Sequence, residues 1–271
     1  MKYYFVIFII FCFLPGFNSA ATTVKDIEAE ASCVVSGISP EESQMYALKK
    51  ARAVAIEKAA GLYVSSSSMV KNNILLLDYI KTYSKGLIVK EKITWFPLRQ
   101  YQADASSPPL PEYKVKIVAD VFIPQKKISP ILLNSSLNKS TFIQNDKAVL
   151  KISTKRKSIL GIFNFMANDR IVMLLPIDNH DFFLQPNQDL IIPDGAQINE
   201  FRMHTLDGHR KDIESFFVVA LDEKSRFRFQ DLFEPGQTLS FNGFFQKYSL
   251  MSEYCEDMML PYEVIHKQME E

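Results

Sequence analysis

The chain has 271 residues, of which 47% are hydrophobic and 23% are charged, close to the average for globular proteins. This composition excludes a chain that is disordered throughout. Basic and acidic residues balance at 31 each, and this neutrality argues against a nucleic-acid-binding protein, because phosphate contacts need clustered lysine and arginine.

The N-terminal residues have the pattern of a secretory signal peptide. Lys2 precedes an apolar run at residues 3–14, and small residues follow at positions 19–21. The run is shorter than the roughly 20 apolar residues that a membrane-spanning helix needs. We therefore expect residues 1–21 to be cleaved, and the mature protein to be periplasmic or secreted with no stable membrane span.

The rest of the chain divides into two parts of ordinary domain size. Residues 26–124 have the pattern of a strand, a long helix and further strands, whereas residues 146–267 are almost wholly strand-like. Residues 125–145 mix Pro, Ser, Asn and Lys without a sustained period, which predicts a linker with a short docked piece at 131–133. The expected fold class is α+β, a helix-on-sheet module followed by an all-β, sandwich-like domain.

The strongest predicted element of the first part is a helix at residues 40–60. Ser39 is suited to cap its N-terminus, and Pro40 to its first turn. One face is rich in alanine and is expected to lie on strands. Charged residues are expected on much of the other side: Lys49, Lys50, Arg52, Glu57 and Lys58.

Strands are expected on both sides of this helix. One precedes it at residues 29–35, and three follow at 62–69, 86–96 and 113–122. A shorter second helix is expected at 73–83, and the Pro-rich segment 104–112 is expected to be a hairpin excursion within the sheet.

The order of these elements resembles the N-terminal domain of flagellar assembly protein T and of related small envelope lipoproteins. The resemblance covers roughly residues 26–124. It implies a small exported α+β module that serves in assembly and has no active site. The residues that carry it are Ala51, Arg52, Ala55, Ala59, Gly61, Val64, Ser65, Tyr83, Ser84 and Gly86.

The second part reads as a succession of short strands separated by turns. Strands are expected at 148–152, 158–165, 171–175, 189–192, 200–205, 214–220 and 239–241, with turns at 168–169, 193–195 and 207–208. This spacing is typical of a β-sandwich or a small barrel.

Residues 145–225 resemble an uncharacterised β-rich domain that recurs at the C-terminus of bacterial exported proteins. The resemblance informs the fold and implies no activity, because the family has no assigned function. The chain departs from it at Leu206-Asp207-Gly208, where family members often have a proline before the glycine. The matching residues are Ile162, Phe163, Asp169, Leu174, Pro176, Gly208 and Glu214.

The residue pattern points to no cofactor, metal or catalytic site. His204 and His209, with His180 elsewhere, are candidate zinc ligands. Arg202 and Arg210 lie beside them and place positive charge where a cation would bind. The sequence has no nucleophile-elbow motif and no nucleotide-binding glycine loop.

Two cysteines remain after the leader, Cys33 and Cys255. In an oxidising compartment they either form a disulfide or stay as two buried thiols. The sequence leaves both alternatives open.

These features predict a non-catalytic binding or assembly component of the bacterial cell envelope, with a protein partner. An accessory of the flagellar basal body is a narrower alternative, and an envelope hydrolase or carbohydrate-binding module is another.

Two phenylalanine pairs are the candidate partner surface, Phe216-Phe217 and Phe244-Phe245. Neighbours in a strand point to opposite faces, so one member of each pair faces away from a single sheet core. The outward member either meets a partner or packs beneath another part of the chain.

Overall fold

A computed structural model describes residues 21–61, 85–124, 131–178, 180–193 and 200–266. The protein is β-rich, as expected, with 48% of the described residues in strands and 17% in helices. Residues 1–20 of the expected signal peptide at 1–21, the strand expected at 62–69 and the helix expected at 73–83 lie outside the described residues. No helix within the described ranges is long and apolar enough to cross a membrane.

In the described residues, the first sheet contains four antiparallel strands and carries a long helix. Its strands are β1 (Thr22–Val34), β2 (Leu87–Trp95), β3 (Arg99–Tyr101) and β4 (Leu110–Ile123). The order is β1-β4-β2, and β3 pairs with the start of β4. The excursion expected at 104–112 is confirmed as the connection of this β3–β4 hairpin, although β4 already begins at Leu110.

The helix α1 (Pro40–Ala59) forms where local signals predicted it. The Ser39 side chain accepts a hydrogen bond from the backbone N–H of Glu42, and the Glu42 carboxylate accepts one from the backbone N–H of Ser39. This reciprocal cap satisfies two N–H groups that the first helical turn leaves without partners.

The alanine side of α1 packs on β1 and β4. Ala51 and Ala55 are fully buried in one cluster with Ala29 of β1 and Ile117 of β4, which are themselves paired across the two strands. Small side chains on both surfaces allow the helix axis to approach the sheet closely.

The second part of the chain is built on a seven-stranded sheet. Its long central strand is β14 (Lys211–Asp222), which pairs antiparallel with β9 (Ser158–Phe165) and β16 (Cys255–Ile265). The sheet continues through β10 (Arg170–Leu175) to β15 (Thr238–Ser240), and β11 (Phe183–Leu184) also pairs with β9.

Smaller strands and helices cover the two faces of this sheet. A three-stranded sheet contains β5 (Asn134–Leu137), β8 (Leu150–Ser153) and β12 (Leu190–Ile192), and a two-stranded sheet contains β7 (Lys147–Ala148) and β13 (Phe201–Arg202). The helices are α2 (Phe229–Leu232), α3 (Phe241–Ser249) and a 3₁₀ turn at Ser252–Tyr254.

The expected linker differs from the structure over its C-terminal part. Residues 131–145 carry β5 and a further strand, β6 (Thr141–Ile143). β5 pairs with β8, and β6 lies parallel to β16 at the edge of the large sheet. These strands are defined by pairing with residues elsewhere in the chain, so the local sequence shows no period. Residues 125–130 lie outside the described part.

The two faces of the seven-stranded sheet border two apolar clusters. One contains Phe163 and Phe217 together with α1 and the first sheet, so it draws on both parts of the chain. The other contains Phe216 and Val218 and lies towards the three-stranded sheet. β14 is therefore buried on both faces, which accounts for its nearly continuous apolar sequence.

Candidate functional site

A cavity of about 530 Å³ lies between α1 and the second part of the chain. We call it the seam cleft. Its walls are the first three turns of α1, the β9–β10 turn at Ala167–Asn168, and residues 206–213, which lead into β14. Its volume is within the range of small-molecule binding sites.

The seam cleft adjoins a buried cluster centred on Arg52 of α1, which is 1% exposed. The Arg52 Nε atom donates to Glu91 Oε2 of β2 at 2.9 Å. Its two terminal nitrogens donate to the two carboxylate oxygens of Asp169 at 2.7 and 2.8 Å. The guanidinium lies 3.9 Å from the ring centroid of Phe241. Arg52 therefore links the first sheet, α1, the β9–β10 turn and α3.

Asp169 reaches Arg52 because of the turn in which it lies. β9 and β10 pair antiparallel, and the Met166 N–H donates to the Arg170 carbonyl at 2.8 Å, which closes the hairpin. Asp169 has a φ of 67°, a left-handed conformation that aspartate tolerates better than most residues. The turn predicted at 168–169 is confirmed.

A second buried cluster holds the same turn from the other side. Glu214 of β14 is 6% exposed. Its Oε1 accepts from the backbone N–H of Ala167 at 3.3 Å, and its Oε2 accepts from the Asn164 amide at 2.9 Å and the Tyr262 hydroxyl at 2.8 Å. Burial raises the pKa of the Glu214 carboxyl, and these hydrogen bonds oppose the rise.

The third wall of the seam cleft is held by Asp212, which is 2% exposed. One carboxylate oxygen accepts from the backbone N–H of Leu206 at 2.5 Å, and the other lies 2.6 Å from Nδ1 of His209. The turn predicted at 207–208 is present between these two contacts, with Gly208 at a φ of 78°. The cleft walls are thus fixed by buried side chains.

The seam cleft is lined by apolar side chains, one amine and several carboxylates, those of Glu41, Glu42, Asp207 and Asp212. Met45, Tyr46, Leu206 and Ile213 supply much of the apolar surface, and Lys49 lies one helical turn before Arg52. Lys49 is partly buried. Burial lowers the pKa of its ammonium group, because loss of water disfavours the charged form.

The predicted partner surface does not lie at this cleft or at any surface. The structure places all four phenylalanines in the interior. Phe216 is 1% exposed and Phe217 is 2% exposed, and they face the two opposite clusters across β14. The second alternative, that the outward member packs beneath another part of the chain, describes their positions.

Phe244 and Phe245 are also buried, with exposures of 0% each, and they lie on α3 rather than on a strand. The strand expectation at 239–241 is correct only to Ser240, which caps α3 by accepting from the Gly243 N–H. A helical signal was present in the sequence. Phe241, Phe244, Phe245 and Tyr248 follow the spacing of one helix face.

The candidate zinc ligands are not brought together. His180 is exposed beside Asp178, His204 is exposed, and His209 contacts Asp212. In the part of the chain that the structure describes, no group of three or more metal-ligating side chains is arranged to hold an ion.

Cys33 and Cys255 are two separate thiols rather than a disulfide. The Cys255 thiol donates to the Met251 carbonyl at 3.3 Å, and burial raises the pKa of the Cys33 thiol.

Sequence reasoning missed the residues that build the site. Lys49 and Arg52 were expected among the charged residues on the far side of α1, whereas Arg52 is buried and Lys49 lines the cleft. A signal for Arg52 was its position next to Ala51, at the edge of the alanine face. No local signal joined it to Glu91 or Asp169, which are 39 and 117 residues away.

No family model matches the chain, and no curated protein matches it.

Proposed function

We propose that this protein is a non-catalytic binding component of the bacterial cell envelope, exported by its N-terminal leader, with the seam cleft as its binding site. The observation that carries the proposal is the cleft itself, an apolar-walled cavity whose walls are fixed before any ligand arrives. Preformed cavities of this size with a few converging polar groups are the usual form of ligand sites.

The hydrogen bonds of Asp212, which lines the cleft, and of Glu214, which holds the wall residue Ala167, favour a structural role for these two carboxylates over general acid or base catalysis. A general acid or base needs a carboxylate oxygen within hydrogen-bond distance of the reacting group. Both oxygens of Asp212 are engaged by Leu206 and His209, and both oxygens of Glu214 accept from protein donors. These groups serve to hold the walls.

We also propose a division of the chain into two domains. Residues 26–124 form a helix-on-sheet module, and residues 146–267 form a sandwich-like domain. The burial of the alanine side of α1 against β1 and β4 supports the first assignment.

Site-specific crosslinking tests the binding site in the native envelope. A photoreactive phenylalanine analogue replaces Leu206, which lines the cleft. The matched control carries the same analogue in place of Ile191 of β12, which is 55% exposed and does not line the cleft. We expect a discrete adduct from position 206 and none of the same mass from 191. Identical adducts from both positions would contradict the cleft as the binding site.

The intact mass of the native protein tests export. We expect a mature chain that begins near Ala21 or Thr22. Retention of Met1 would show that the leader is not cleaved.

A further inference from the structure

One edge of the first sheet runs along β2, a short bulge and β3, and we call these residues, 87–101, the β2 edge. In the described residues β2 is the last strand in the order β1-β4-β2, so no described strand pairs with its second side. β2 and β3 both pair with β4 on the side opposite β1. Between them the Phe96 N–H still donates to the Lys114 carbonyl at 3.0 Å, whereas Pro97 has no N–H to continue the ladder.

Three large apolar side chains are exposed along the β2 edge: Ile93 (38%), Trp95 (39%) and Leu98 (59%). Ile93 and Trp95 alternate along β2, so they share one face of the sheet. They lie opposite Ile117 and Val115 of β4, which are fully buried. The apolar face of the first sheet therefore continues to this edge. Single exposed apolar residues need no explanation, whereas a group of them at one place points to an interaction.

The exposed charged residues of the β2 edge are all positive: Lys90, Lys92 and Arg99. The only carboxylate within 87–101 is that of Glu91, which is buried and bound to Arg52. The next exposed carboxylate along the chain is that of Asp104, in the β3–β4 connection.

The carboxylates beside the β2 edge on the neighbouring strands have partners. Glu112 of β4 lies opposite Arg99, is half-buried, and accepts a hydrogen bond from the Ser32 hydroxyl at 2.7 Å. Two further carboxylates form ion pairs, Glu30 with Lys114 at 2.7 Å and Glu28 with Lys116 at 2.8 Å. The β2 edge therefore has a net positive charge beside its exposed apolar side chains.

We propose that the β2 edge docks on the surface of a bilayer that contains anionic lipids, with Trp95 and Leu98 at the level of the headgroups. Tryptophan is enriched at membrane–water interfaces, and anionic lipids attract lysine and arginine near the surface. Interfacial binding combines buried apolar area with this attraction, and the β2 edge supplies both.

A bilayer fits the β2 edge better than an added protein strand does. A strand adds to a sheet through an unbroken row of backbone N–H and C=O groups. The bulge at 96–98 interrupts that row, and Pro97 contributes no N–H. The contact is peripheral and lies outside the seam cleft, so this inference goes beyond the proposed function and does not depend on it.

Tryptophan fluorescence of the purified native protein tests the proposal directly. Trp95 is the only tryptophan in the chain, so its emission reports the β2 edge alone. The protein is titrated with vesicles of phosphatidylcholine, and with vesicles of phosphatidylcholine and phosphatidylglycerol in equal parts. We expect a blue shift of the emission, and flotation of the protein with the vesicles, only when phosphatidylglycerol is present. Added salt should weaken this binding, because it screens the charges.

Two double variants connect the binding to the charges of the β2 edge. Lys90→Gln with Lys92→Gln should lower the vesicle affinity by about fivefold for each lysine. The control is Lys155→Gln with Lys224→Gln, which removes the same charge from two exposed lysines in the second part of the chain. Circular dichroism confirms that each variant is folded.

A second pair of variants tests the apolar contribution. Leu98→Ser should lower the affinity by roughly tenfold, because the leucine loses its apolar contact with the bilayer. Ile191→Ser is the matched control, since Ile191 of β12 has a similar exposure of 55%.

Four results would overturn the proposal. They are no blue shift with either vesicle, equal binding to both vesicles, binding that leaves the emission of Trp95 unchanged, and an equal loss of affinity in the variants and their controls. A soluble peptide of alternating glutamate and valine is the competing probe. A blue shift with this peptide and none with the vesicles would identify an acidic protein strand as the partner and refute the bilayer.

Discussion

The β9–β10 turn is held on two sides by buried polar clusters of different kinds. On one side Asp169 meets Arg52, which also binds Glu91, so negative charge is balanced by positive charge. On the other side Glu214 accepts only from neutral donors, including the hydroxyl of Tyr262. The two clusters share one structural task and differ in how they offset the cost of burial.

This difference determines how each cluster responds to change. A guanidinium is charged at every pH at which proteins fold, so removal of Arg52 leaves Glu91 buried with no counter-charge. A carboxyl such as Glu214 has another way to lower the cost, which is to bind a proton. We therefore expect mutation to disturb the Arg52 cluster most, and pH to act on the Glu214 cluster.

The largest effect is expected from Arg52→Met. This change keeps much of the side-chain volume, removes the charge, and should lower the free energy of unfolding by about 3–5 kcal/mol, the cost of breaking a buried ion pair. Urea unfolding measures it, with Lys50→Met as the control on the same helix. A loss no greater than that of the control would mean that the Arg52 ion pairs contribute little to stability.

An intermediate effect is expected from Ala55→Leu. Ala55 is fully buried between α1 and the first sheet, one turn from Arg52. The larger side chain should overpack this contact and cost about 1–3 kcal/mol. It should also move α1 away from Glu91 and so connect alanine packing to the charged cluster. A melting temperature equal to that of the parent would contradict the close packing of helix and sheet.

A smaller, pH-dependent effect is expected from Glu214→Gln. Because the pKa of Glu214 is raised above its ordinary value of 4.5, the folded protein binds more protons than the unfolded chain between 4.5 and the raised pKa. Stability from this group is therefore present at low pH and is lost as pH rises through that interval. The variant should lack this loss, so its stability relative to the parent should increase with pH. Unfolding curves from pH 4 to 8 test this, and parallel profiles would contradict it.

The smallest effect is expected from Lys49→Met in the absence of ligand. Lys49 is partly buried with no direct counter-charge among the described residues, so removal of its charge should stabilise the protein, by about 1 kcal/mol at pH 7. Thermal unfolding measures it beside Lys50→Met. A clear loss of stability would show that the Lys49 charge is balanced within the protein.

Prediction from the sequence was most accurate where local chemistry specifies the structure. The start of α1 was predicted from Ser39 and Pro40, and the structure shows the expected Ser39 cap. The β9–β10 turn at Asn168 and Asp169 was predicted for the same reason, since a turn depends on a few adjacent residues.

Prediction was wrong where burial depends on distant parts of the chain. Phe244 and Phe245 were interpreted as strand residues. They lie on a helix because the preceding strand β15 is only three residues long and leads directly into α3. Phe216 and Phe217 alternate across β14 as expected. The sequence left open whether the outward one meets a partner or packs beneath another part of the chain, and the fold covers both faces of this strand.

The sequence alone determined the β-rich character, the long alanine-faced helix and the turns, because these follow from residue periods and from contacts within a few positions. Which residues meet at the site depends on the tertiary structure. Arg52 joins two carboxylates that lie 39 and 117 residues away, and Lys49 faces a cleft whose other walls begin more than 100 residues later. Whether a charged residue on a helix meets water, a counter-charge or a cavity depends on what the fold places opposite it.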